Sequence, residues 1–130
     1  MAINAENRQA EIADELSEVA RTLAHSTRSV PHPAESYGLL GDLQAAQDAL
    51  VQVYEQLATW HGAVVDGTHY NGEDGRGLKG VPAAGPDGHI AGLLKMAAAS
   101  AAEAAALVSR AHSANGVVRW FDDAKNEEEV

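Results

Sequence analysis

The sequence predicts an all-α protein: an antiparallel three-helix bundle with a long Gly-rich loop between its second and third helices. Three observations carry this. Leu39, Leu43, Ala46, Leu50, Val53, Leu57, Trp60 and Val64 lie alternately four and three residues apart, the spacing of a helix that buries one seam. Ile90, Leu94, Ala97, Ala101, Ala104, Val108 and Ala111 repeat that spacing with smaller side chains. Between the two stripes, residues 66–86 hold Gly67, Gly72, Gly75, Gly77, Gly80, Gly85, Pro82 and Pro86, a composition that resists regular structure.

Helix one is expected over about 5–25. Ile12, Leu16, Val19, Ala20 and Leu23 form its stripe, and Glu6, Glu11, Asp14, Glu15 and Glu18 suit the positive end of its dipole. Ser26, Thr27 and Ser29, followed by Pro31-His32-Pro33, stop it, because a residue before proline leaves the α region. Pro33 fits a first helical turn and opens helix two, expected over about 33–65 and roughly 50 Å long. Gly38 and Gly41 weaken its start by about 1 kcal/mol each unless a neighbour needs the space. Helix three is expected over about 88–114, with Asp87 as N-cap and Asn115-Gly116 as a left-handed stop. Its alanine seam stabilises only where another helix packs closely. The short first connection pairs helices one and two antiparallel. Helix two carries more apolar surface than helix one covers, so dimerisation completes the bundle. Residues 1–121 form one helical domain. Residues 122–130, rich in Asp and Glu, form an acidic disordered tail.

Composition narrows the function. With 130 residues, 9 Lys and Arg against 19 Asp and Glu, and a net charge of -10, the chain lacks the clustered basic surface that tracks a phosphate backbone. It has no cysteine, which removes disulfides and thiolate chemistry. No apolar run approaches the roughly 20 residues of a membrane span, and the N-terminus does not read as a signal peptide, so a cytoplasmic location is expected.

Motifs for chemistry are sparse. His25, His32, His61, His69, His89 and His112 show no i, i+4 pair on one helix and no His-Glu-x-x-His pattern. A metal or small-ligand site from His61, His69 and Asp66 is the one sterically conceivable combination. Residues 66–74 lack the carboxylate order of a calcium loop. Gly75-Arg76-Gly77 is a spacer rather than a phosphate cradle, and no Gly-x-Ser-x-Gly elbow exists. Neither a catalytic centre nor a cofactor is expected. A third option, an acidic mimic of nucleic acid, needs the acid of helix one and of the tail on one continuous face.

Trp60-His61-Gly62 resembles the Trp-x-Gly element of the small helical-hairpin substrates of type VII secretion, and Tyr70 with Asp74 matches that family's Tyr-x-x-x-Asp export signal. The resemblance implies a signal-less, acidic, Ala-rich hairpin acting as a dimer. In that family the Trp-x-Gly forms the turn and the Tyr-x-x-x-Asp follows a full second helix, whereas here the two elements are a few residues apart. A broader stretch resembles uncharacterised small helical proteins of high-GC actinobacteria: Val30-Pro31-His32-Pro33, Tyr37, Leu39-Leu40-Gly41, Leu57-Ala58-Thr59-Trp60-His61 and His112-Ser113-Ala114-Asn115-Gly116. That resemblance implies source rather than activity.

The expected function is a non-catalytic helical interaction module that binds itself, as a homo-oligomer, or another helical protein. Leu50, Val53, Leu57 and Trp60 are the seam residues expected to carry binding. Trp120 and Phe121, in the apolar segment after helix three, are the aromatic anchors. That segment either folds back as a cap or serves as a docking peptide.

Overall fold

The computed structural model describes residues 5–64 and 89–124. Among the described residues all regular structure is helical, with α1 at Gln9–Ser26, α2 at Ser36–Ala63 and α3 at His89–Asn115. Short 3-10 turns, Ala5–Arg8 and Pro33–Glu35, lead into α1 and α2. Three helices therefore stand where periodicity places them, and Pro33 begins the turn that opens α2. Asp87, the Gly-rich loop 66–86 and residues 125–130 lie outside the described residues.

The chain divides into two compact units. In the first, Met1–Ala34 with Trp120–Val130, α1 has no buried residue. Ile12, Leu16 and Val19, its expected inner stripe, are exposed. Arg8 sits at the start of α1 and reaches Glu11 at 3.0 Å and Glu15 at 3.2 Å, one cation serving two carboxylates on consecutive turns. The helix ends at Thr27, whose N–H and hydroxyl both donate to the Leu23 carbonyl. Asp122, placed by the sequence in the disordered tail, is tied down: its Oδ1 accepts the Ala34 N–H at 2.9 Å. That N–H belongs to the turn opening α2, where free backbone donors need a partner.

In the second unit, Glu35–Arg119, α2 packs closely along α3. At one end Asn115 donates to the Ser36 hydroxyl at 3.0 Å, and the Tyr37 and His112 rings stack at 3.9 Å. Toward the other end Gly62 faces Ala91. Numbers rise on α2 as they fall on α3, so the two helices run in opposite directions. The interior is small. Ala58, Ala91, Ala98 and Ala105 are its buried apolar residues, Asn115 its buried polar one, and no large side chain among the described residues is fully enclosed.

Two expectations need correction. The α3 stop is placed as expected, but Gly116 turns without left-handed backbone, its N–H bonding back to the Ser113 carbonyl. Space there is tight: a Cβ at Gly116 would lie 3.3 Å from the Tyr37 ring and 3.2 Å from the Ser113 oxygen. Second, Ile90–Asn115 is long and apolar enough, on average, to cross a membrane by length and composition. Its alanines supply that average. Lys95, Glu103 and Arg110 interrupt every apolar run, and such charges are costly in a bilayer.

Candidate interaction surface

The seam joining α2 to α3 is offset by one residue from the strongest apolar repeat in the sequence. On α2 the positions drawn inward are Leu40, Gln44, Gln47, Val51, Tyr54, Ala58 and His61. On α3 they are Ala91, Leu94, Ala98, Ala101, Ala105, Val108, His112 and Asn115. Both series alternate three and four, so both helices keep heptad packing. α3 thus faces α2 with alanine at four of these eight positions, and Gly41 leaves room for the His112 side chain. A Cβ on Gly41 would meet His112 Nε2 at 3.1 Å.

The predicted α2 seam occupies the positions one residue earlier. Leu39, Leu43 and Leu50 are half-buried along its edge, while Val53, Leu57 and Trp60 are exposed, Trp60 at 51%. On α3 the positions one residue before the seam include Ile90, Leu93, Ala97, Ala104 and Leu107, and Leu93 and Leu107 are half exposed. Because a helix advances about 100° per residue and the two run oppositely, these preceding positions point to the same side of the pair. The following positions point to the other side and are polar or small: Asp48, Gln52, Glu55 and Thr59 on α2, and Gly92, Lys95, Ala102 and Ser109 on α3. The hairpin therefore has one apolar face and one polar face. Contiguous exposed apolar surface of this kind marks interaction sites in soluble proteins.

Of the residues expected to bind, Leu50, Val53, Leu57 and Trp60 share the apolar face. Trp60 also meets His61 edge to face, with ring centroids 4.9 Å apart. That contact steadies the indole, as suits an anchor. Trp120 and Phe121 belong to the other unit, about half exposed, beside the Asp122 that bonds Ala34. The candidate metal set is not brought together in view: His61 lies in the last turn of α2, and His69 and Asp66 lie outside the described residues. Among the described residues no group of three His, Asp or Glu could hold a metal ion.

Sequence reasoning missed the cluster at the start of α2. Ser36, Tyr37, Gly41, His112 and Asn115 converge there, and Gly116 closes over the Tyr37 ring. A signal was present. His112 and Asn115 end a stripe rich in alanine, and Gly41 is a poor helix former inside α2 at the level of His112.

Fold and surface together define a class: an acidic α-helical chain with an alanine-seamed hairpin and one open apolar face. No family model, curated protein or solved structure matches the chain.

Proposed function

We propose that this chain is a non-catalytic helical interaction module that associates with itself or with another helical protein. The observation behind this reading is the apolar face carrying Leu50, Val53, Leu57 and Trp60, which α3 leaves exposed. In this reading α1 lays Ile12, Leu16 and Val19 along part of that face to form the antiparallel three-helix bundle. A homo-oligomer completes the burial. The module works in the cytoplasm without a cofactor. Packing of one apolar helical face on another supplies affinity by removing that surface from water.

The test is the native mass of the purified chain by size exclusion with light scattering, together with the variant Leu57→Asp. Leu57 is 44% exposed in the hairpin, so the variant keeps its helical circular dichroism and loses its partner. A variant that retains both helicity and the mass of its assembly would overturn the reading.

A second reading rests on a specific placement. Trp60-His61-Gly62 ends the first helix of an antiparallel hairpin, where the type VII substrates carry their Trp-x-Gly. On this reading the chain is exported without a signal peptide. Tyr70→Ala would block export from a host with that machinery while leaving the fold unchanged; export of the variant at the normal level would remove the reading.

A further inference from the structure

We infer that Asn115 is a self-modification site. Its side-chain amide is lost through attack by the Gly116 backbone nitrogen, and docking of the first turn of α2 onto the end of α3 controls when. The inference stands apart from the interaction reading above.

The chemistry starts from the Asn-Gly pair. The nitrogen of the residue after an asparagine lies one ring closure away from the side-chain carbonyl carbon, and glycine puts no side chain in its path. A hydroxide ion takes the Gly116 N–H proton, the nitrogen bonds to Cγ of Asn115, and the Cγ–Nδ2 bond breaks. Nδ2 leaves as ammonia, taking a proton from water. The five-membered imide then adds water. Breaking its Cγ–N bond gives aspartate. Breaking the bond from the same nitrogen to the main-chain carbonyl carbon gives isoaspartate, with the chain rerouted through the side chain. Water is the one co-reactant.

The closed hairpin holds every group in that reaction. The nucleophile, the Gly116 N–H, donates to the Ser113 carbonyl at 3.1 Å, and the carbonyl of the same peptide accepts the Val118 N–H at 3.1 Å. The leaving group, Asn115 Nδ2, donates to the Ser36 hydroxyl at 3.0 Å. Asn115 is only 9% exposed, and the Tyr37 ring lies over Gly116. Asn115 also ends α3, and ring closure turns its backbone out of the helical conformation. The reaction therefore waits for the Ser36-Tyr37 turn to lift, and its rate reports how often that local opening occurs. It runs one way. The product has no Nδ2 to donate to Ser36, and it adds a negative charge at the negative end of α3 in a chain already at -10. Conversion thus removes a contact that closes this end of the hairpin.

Trypsin isolates the site. Residues 111–119 form a tryptic peptide whose one asparagine is Asn115. Residues 29–76 form another, whose one asparagine, Asn71, also precedes a glycine and lies outside the described residues. The full chain would be incubated at mildly alkaline pH in buffer and in urea, and the amide-to-acid mass gain followed in each peptide. In urea, Asn115 is expected to convert within a few fold of the rate at Asn71. In buffer, Asn115 converts at least about tenfold more slowly than in urea. Ser36→Ala, shown to be helical by circular dichroism, speeds conversion in buffer by at least about threefold. Asn115→Asp, made directly, lowers Tm. No conversion of Asn115 in urea would overturn the modification site. Equal rates in buffer and urea, or an unchanged buffer rate in Ser36→Ala, would overturn its control by docking. An unchanged or higher Tm in Asn115→Asp would overturn the loosening. If Ser36→Ala loses its helicity, Tyr37→Ala, which uncovers Gly116, takes its place with the same two outcomes.

Discussion

Gly38 and Gly41 lie three residues apart, within one turn of α2, yet alanine has opposite consequences at the two. Nothing lies within 4 Å of a Cβ built on Gly38. Gly38→Ala gains helix propensity and loses unfolded-state freedom, stabilising by about 0.5–1 kcal/mol. For a small domain that is an increase in Tm of roughly 2–8 °C. At Gly41 the same intrinsic gain is opposed. The new methyl would sit 3.1 Å from His112 Nε2, and that ring is held against Tyr37 at 3.9 Å with 25° between their planes. Moving the ring gives up stacking worth about 0.5–1.5 kcal/mol, so the net effect at Gly41 is near zero or destabilising. Thermal melts of both variants read the difference directly. Measuring Gly41→Ala in a His112→Ala background isolates the clash: with the ring gone, alanine at 41 regains the benefit it has at 38. Equal stabilisation by both single variants would refute the close approach of α3 to Gly41. A loss of stability in Gly38→Ala would refute the open setting of the first turns of α2.

Further outcomes follow from the same contacts. Ala98→Leu forces a large side chain into a seam position only 5% exposed and destabilises the hairpin by about 1–3 kcal/mol, read by chemical denaturation. Asp122→Ala removes the acceptor of the Ala34 N–H and costs about 0.5–1 kcal/mol in a thermal melt, while Asp122→Asn keeps most of the stability through its amide oxygen. Arg8→Ala changes stability by no more than about 0.5 kcal/mol at moderate salt, because both of its ion pairs are solvent-exposed.

The helices were legible because apolar spacing and proline punctuation are local signals. The orientation of α2 was not. Its largest side chains define the most regular seam, and periodicity assigns the most regular seam to the interior. The alanines of α3 reverse that assignment. They bury little area each, and α3 settles along Leu40, Gln44, Gln47, Val51, Tyr54, Ala58 and His61 rather than along the most apolar stripe, which holds Leu57 and Trp60. The choice between neighbouring faces depends on shape across two helices, which a single stripe does not encode. For the same reason the α3 stripe was half right: Leu94, Ala101 and Val108 do face α2, while Ile90, Ala97 and Ala104 flank that contact. Leu50, Val53, Leu57 and Trp60 lie on the face left over, the one the sequence marked as most apolar. His112 and Asn115 went unremarked as partners of α2 because the residues they meet lie more than seventy positions away.

The alanine seam has one more consequence. Ala91, Ala98 and Ala105 recur every seven residues. Sliding α3 by one heptad, about 10.5 Å, would bring Ala98 and Ala105 to the levels that Ala91 and Ala98 hold against α2. Those alanines by themselves do not record the alignment. Alignment is written at one end, where the Asn115 amide finds the Ser36 hydroxyl and the His112 ring finds Tyr37 beside the gap left by Gly41. A slipped pairing would strand those groups and leave a buried amide without its partner, an error costing about 1–3 kcal/mol. The few polar residues at the tip thus act as the detent for the pair and mark one alignment.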